Sequence, residues 1–191
     1  MVQPIAPTLP TTEDKWTYER YLRETAEGEY FTIIAGEKIM SPSPTSFHQD
    51  VLGNLYTLLR AWARPSNTGK VKLAPFDVIL ADDEVVQPDL TFVLTEHLSR
   101  LTEKNLRGAP DLAVEILSPG SVRLDREKKR ALYARYGIAE FWIVSPGERT
   151  VEVLRLQGQQ YETAGLLEEG DTLQSPLLSG FSCAVKDIFL E

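Results

Sequence analysis

The sequence predicts an α/β (α+β) domain: a mixed sheet with a central antiparallel meander, flanked by helices, with an N-terminal helix and hairpin and a C-terminal hairpin. Three observations predict it. An amphipathic helical stripe runs through residues 46–63, short apolar runs of strand length recur between 70 and 164, and helical and strand patterns alternate along the chain. At 191 residues the chain is long enough to bury a core without disulfides or structural metal, and the reading is a loose tail over 1–11 and one domain over 12–191.

Residues 1–11 are rich in Pro and Thr. Thr12 can cap a helix whose first turn carries Glu13 and Asp14, and the helix should run to about Ala26, with Trp16, Tyr21 and Leu22 available for packing. Residues 29–34 and 37–40, separated by Ala35-Gly36, read as a hairpin, and Ser41-Pro42-Ser43-Pro44 as a stiff connector. The second helix takes its apolar stripe from Val51, Leu52, Leu55, Leu58, Leu59 and Trp62. His48 shares that stripe near the helix start, as a core histidine or as part of a site.

Residues 70–80 read as a strand pair or one bent strand, with Asp77 facing away from Phe76, Val78 and Leu80. After a turn at Asp82-Asp83-Glu84, residues 85–94 read as the next strand. Pro88 inside that run implies an edge or a bulge, because proline donates no ladder hydrogen bond. Residues 95–106 look helical, ending at Gly108. A strand at 111–117, a helix at 123–136 stopped by Gly137, a strand at 140–144 and a hairpin of 150–156 with 160–164 complete the pattern.

Composition narrows the function classes. Hydrophobic residues at 42% and charged residues at 25% are ordinary for a soluble globular protein. The single Cys183 excludes a disulfide framework and a Cys-rich zinc site. The start, MVQPIAPTLPTTEDK, lacks the basic-then-apolar pattern of a signal peptide, and no apolar run approaches the ~20 residues of a membrane span, so a cytoplasmic protein is expected. A net charge of −8 argues against non-specific nucleic-acid affinity, although Arg123–Arg135 holds six Lys/Arg against Asp125 and Glu127.

The chemistry concentrates at one residue. Glu115 interrupts the apolar run Leu112–Leu117, and a carboxylate there is costly to bury unless it is paired or binds a cation. Asp89 lies in the neighbouring predicted strand. Side by side, the two acids could share a hard divalent cation such as Mg²⁺; at separate strand ends, each would simply face solvent. On the following helix Leu132, Tyr133 and Tyr136 define the inward face at ~100° per residue. Lys129 falls ~15° from its centre, Asp125 ~25° and Lys128 ~85°. Lys129 should therefore point inward, to pair with a buried carboxylate or to hold a water or phosphoryl oxygen.

The motifs Gln87-Pro88-Asp89, Gly108-Ala109-Pro110-Asp111-Leu112, Glu115-Ile116-Leu117-Ser118-Pro119, Asp125…Lys129…Tyr133 and Gly137–Val144 resemble the "putative restriction endonuclease" family, once a domain of unknown function, within the PD-(D/E)XK nuclease superfamily. The resemblance extends over about 14–190. It implies a restriction-endonuclease-like fold and a metal-dependent endonuclease that hydrolyses DNA phosphodiesters. Asp89 and Glu115, with the backbone carbonyl of Ile116, would bind Mg²⁺ or Mn²⁺, and Lys129 would be the catalytic lysine. Many superfamily members carry that lysine two residues after the acid, where this chain has Leu117. His48 matches a helix start of the family; His48, Asp77, Ser118 and Asp125 are candidate site-lining residues.

Thr32 and Ala35 stand where many members of the family carry acids, which would weaken metal binding. Two rivals therefore stand beside the nuclease: an inactive fold kept as a nucleic-acid-binding or assembly module, and a hydrolase of another phosphoester. A homodimer is expected, because cutting both strands of a two-fold duplex suits a two-fold protein.

Overall fold

A computed structural model describes residues 15–40 and 43–191. The predicted tail, Thr12, and Ser41-Pro42 of the connector lie outside the described residues. The first helix, α1, is shorter than predicted, Tyr18–Glu24, because Thr17 is the cap: its side chain accepts from the Arg20 amide at 3.2 Å. Tyr18 and Tyr21 are its buried residues, whereas Leu22, expected to pack, is 64% exposed. A hairpin follows, β1 (Thr32–Ile34) and β2 (Glu37–Ile39).

The long helix α2 spans Ser46–Ser66. Thr45 caps it by accepting from the His48 amide at 3.2 Å. Asn67 closes it in the left-handed conformation, its amide returning to the Ala63 and Arg64 carbonyls. Val51, Leu52, Leu55, Leu59 and Ala63 are buried along one side, while Leu58 and Trp62 are only partly covered.

The run 70–80, read as a strand pair or one bent strand, is two strands, and the single strand expected over 85–94 is also two; in each case the two lie in different sheets. The run 70–80 divides into β3 (Gly69–Leu73) and β4 (Asp77–Ala81), and the run 85–94 into β5 (Glu84–Val86) and β6 (Leu90–Leu94). Pro88 marks neither an edge nor a bulge. It lies where the chain passes from one sheet to the other. Residues 95–106 are not one helix: a 3₁₀ segment, Thr95–Arg100, is followed by β7 (Asn105–Arg107), which pairs in parallel with β4.

After β8 (Leu112–Ile116), the predicted helix begins as a π-helical segment, Leu124–Lys129. It continues directly as α3 (Arg130–Arg135), and Gly137 ends it with φ 75°. The chain then forms β9 (Glu140–Ser145), β10 (Thr150–Gln157), β11 (Gln160–Glu168), and the small pair β12 (Thr172–Gln174) and β13 (Ser182–Ala184).

The six-stranded sheet has the order β11-β10-β9-β8-β6-β3, and a five-stranded sheet the order β2-β1-β5-β4-β7. The larger sheet is mixed. Its centre is the parallel pair β8–β9, and the consecutive antiparallel meander β9-β10-β11 occupies one flank instead of the middle. Alternation sorts its side chains. Phe92, Leu112, Val114, Ile116, Trp142 and Val144 pack with α2 and the C-terminal 3₁₀ turn Val185–Phe189, and Val93, Ala113, Phe141 and Ile143 pack with Leu132 and Tyr133 near α3. Glu115 shares strand parity with Ala113, so its carboxylate enters the layer beneath α3. Among the described residues, no helix is long and apolar enough to cross a membrane.

Candidate active site

A cleft of about 670 Å³ opens where the six-stranded sheet, the N-terminal end of α2 and the β1 side of the smaller sheet meet. Asp89 stands at the chain crossing between β5 and β6, one step beyond the Leu90–Val114 pair. It is therefore set opposite Glu115. Two contacts fix it: its Oδ2 accepts from the Ile116 amide at 2.7 Å, and its carbonyl accepts from the Ala74 amide at 3.0 Å. Its Oδ1 has no protein donor among the described residues.

Glu115 is 2% exposed and both its oxygens are engaged. Lys129 Nζ donates to Oε2 at 2.8 Å, and the Tyr133 hydroxyl donates to Oε1 at 2.5 Å. The same ammonium lies 2.9 Å from Asp125 Oδ1, a charge contact without hydrogen-bond direction, so that buried oxygen has no hydrogen-bond partner. A four-residue step holds Asp125 and Lys129 on one side of their segment, and the next such step adds Tyr133. Lys128 is displaced outward, with its ammonium 3.6 Å from Glu37.

The charges explain the proton affinities. Burial pushes Glu115 up to about 8, and the Asp125 and Asp89 charges add to this while Lys129 pulls the other way. For Lys129 burial acts downward but is outweighed by Glu115 and then Asp125, so its pKa lies above the ordinary lysine range. Tyr133 is raised by burial and by Glu115. His48 Nε2 lies 3.4 Å from Asp89 Oδ2; burial disfavours its charged form, yet Asp89 and the Ile116 backbone outweigh this and raise it. His48 Nδ1 is buried without a partner.

The structure thus brings Asp89, Glu115, Ile116, Lys129, Asp125, His48 and Ser118 to one cleft. Asp77 does not join them. It accepts from the Gln87 side chain at 2.7 Å and from the Tyr18 hydroxyl at 3.3 Å, outside the cleft lining, because β4 belongs to the other sheet. Thr32 lines the cleft. Ala35 does not: it sits at the hairpin turn, its amide donating to Glu84. Tyr133 was visible in the sequence as an inward residue and as part of the Asp125…Lys129…Tyr133 motif, without a role in the site; its place one turn after Lys129 was the signal that it could reach the same acid.

A family model described as "Uma2: Putative restriction endonuclease" matches residues 17–186. The chain belongs to the Uma2 family. A crystal structure of a putative nuclease belonging to DUF820 from Anabaena variabilis ATCC 29413 has a similar fold. Its TM-score is 0.76 at 22% identity, over 91% of this chain and 97% of that one. No curated protein matches. The mixed sheets with few helices are a restriction-endonuclease-like nuclease fold.

The donor set suits a divalent cation. Two carboxylates and the Ile116 carbonyl are hard oxygen donors of the kind Mg²⁺ or Mn²⁺ takes. Asp89 Oδ1 is open, and three acids face a single lysine. Among the described residues no three His, Cys, Asp or Glu side chains form a ready cage. Water and substrate oxygens would fill the remaining positions, as is usual for Mg²⁺. The residues fit the group.

Proposed function

We propose that the protein is a Mg²⁺- or Mn²⁺-dependent endonuclease that hydrolyses DNA phosphodiesters. The observation that carries this is the convergence of Asp89, Glu115 and Lys129 in the cleft of a chain from a family described as restriction endonucleases. Asp89, Glu115 and the Ile116 carbonyl would hold the cation. When bound, it polarises the phosphate and lowers the pKa of its water. Lys129 offers a buried ammonium where negative charge develops on the phosphoryl oxygens. Asp125 and Glu115 keep that ammonium charged, and Tyr133 orients Glu115. A homodimer would let two such clefts address the two strands of a duplex.

Plasmid nicking with Mn²⁺ tests the proposal. Wild type should nick, while Asp89→Asn and Lys129→Ala should lose on the order of 10²-fold or more in rate, the scale of losing one transition-state donor. Equal nicking by all three, or none with either metal, defeats it.

One observation favours a second reading, a nuclease-like fold serving as a nucleic-acid-binding or assembly module. Both Glu115 oxygens are already satisfied by Lys129 and Tyr133, and Thr32 supplies no further acid. Calorimetric Mn²⁺ titration separates the two. A site abolished by Glu115→Gln belongs to the enzyme; no heat in wild type belongs to the module.

A further inference from the structure

A second cavity, about 400 Å³, follows the outer edge of β3 and is lined by Tyr56, Arg60, Arg64, Lys70 and Lys72. Residues 51–76 hold these four basic residues and no Asp or Glu, in a chain of net charge −8. Among the described residues none of the four makes an ion pair. Arg60 donates to the Tyr56 hydroxyl and lies over its ring at 5.5 Å, and Lys72 lies 5.3 Å from the Phe76 ring. The aromatic contacts keep the cations in place without neutralising them.

The cavity and the candidate active site are lined by two of the same stretches of chain. On α2, His48 and Leu52 line the cleft, and Tyr56, Arg60 and Arg64 line the basic groove; all five form one i, i+4 row. On the strand side, Ala74 and Pro75 line the cleft, while Lys70 and Lys72 line the groove. β3 ends the six-stranded sheet, so no neighbouring strand covers that edge. Its first residue must be glycine: a Cβ on Gly69 would lie 2.4 Å from the Val93 carbonyl oxygen. The strand and its lysines are thereby held against β6.

We propose that this groove binds the sugar-phosphate backbone of the nucleic acid that enters the cleft, on one side of the scissile phosphate. The inference rests on the reading of the protein as acting on nucleic acid. Four cations without ion pairs among the described residues suit a polyanion, and the half-buried Tyr56 ring holds the exposed Arg60 beside the groove. From His48 to Arg60 the helix rises roughly 18 Å, about five base-pair steps of one strand. The lysines also blunt the free edge against pairing with another chain. That duty alone would leave the arginines of α2 without a role.

The test is fluorescence anisotropy of the full chain with a labelled DNA duplex in EDTA across a salt series, since backbone contacts need no metal. Arg64→Gln/Lys70→Gln/Lys72→Gln should weaken binding on the order of tenfold and flatten the salt dependence by about two to three in log–log slope. Arg64→Lys/Lys70→Arg should retain both. Duplexes that stop short of about five base pairs beyond the cleaved bond should lose the same affinity.

Identical affinity and slope in wild type and the triple variant, both folded by circular dichroism, would overturn the groove and leave the cleft reading intact. No DNA binding by wild type at low salt would overturn both. Binding without Mn²⁺-dependent cleavage would overturn only the hydrolytic reading. Displacement by polyglutamate as effective as by DNA at equal charge would reduce the groove to a general anion patch and overturn the nucleic-acid assignment.

Discussion

Lys129→Met replaces the ammonium between Glu115 and Asp125 with an apolar chain of similar length. The two contacts are 2.8 and 2.9 Å, and the lysine is 4% exposed. Removing one partner of such a pair costs about 3–5 kcal/mol, because the other charges stay buried without compensation. For a chain of this size that is a fall in Tm on the order of 10 °C.

The cost should depend on pH. Glu115 titrates in the fold at about 8, above its ordinary 4.5, so the protonated form favours the fold below the ordinary value and that support fades as pH rises through the folded one. Lys129 is the strongest influence holding Glu115 down, so its removal moves the folded value further up. Glu115 is protonated in both folded proteins up to about pH 7, so the deficit of Lys129→Met should be level from pH 5 to pH 7 and widen between pH 7 and pH 9, by at most about 1.4 kcal/mol per pH unit for one proton. Urea unfolding at pH 5, pH 7 and pH 9, in EDTA, measures it. A variant as stable as wild type at pH 9, or a deficit that is smaller at pH 9 than at pH 7, would refute the buried arrangement described for Glu115.

Three other outcomes are expected. Tyr133→Phe removes a hydrogen bond to a buried carboxylate and should cost about 1.5–3 kcal/mol by urea unfolding, without changing the fold seen by circular dichroism. Glu140→Ala strands three donors, Trp142 Nε1, Ser175 Oγ and the Leu177 amide, which now reach its carboxylate at 2.6–2.8 Å; a loss of about 3–5 kcal/mol is expected, and less than about 1 would contradict the contacts. Burial pushes the Cys183 thiol up to about 11, so a thiol reagent at pH 8 should label it slowly in the folded protein and rapidly in urea; equal rates would show an open site.

What could be read from the sequence was what periodicity carries. The stripe of α2, the strand around Glu115 and the inward direction of Lys129 follow from period and polarity. The lysine prediction survives the π-helical start of its helix because Asp125, Lys129 and Tyr133 are spaced by fours, and such neighbours stay on one side. The splitting of 85–94 was hidden because Val85, Val86 and Leu90–Val93 are all buried: two strands in different sheets read as one apolar run. Pro88 signalled a disturbance without saying that the chain changes sheets there.

Residues 95–106 misled differently. A 3₁₀ turn and a three-residue strand have too few residues to show a period. Asp77 was expected to line the site, but its strand belongs to the smaller sheet and its carboxylate accepts from Gln87 and Tyr18 instead. Glu140 carried the signal that singled out Glu115, a carboxylate at an apolar run, and the same reasoning would have found its buried partners.

The hydrogen bond from the Ala74 amide to the Asp89 carbonyl continues the β3–β6 ladder by one step past the Leu73–Leu90 pair. Everything between those residues, including the whole β4–β5 hairpin, is an excursion from the large sheet that leaves and returns at one pinned doorway. Its length is uncoupled from the register that sets Asp89 against Glu115. The far Asp82–Asp83 turn is held separately, its carbonyls accepting from the Tyr18 and Gly36 amides at 2.7 and 3.0 Å. The fold thus separates the ladder that fixes the acids from the smaller sheet, which is anchored by contacts of its own.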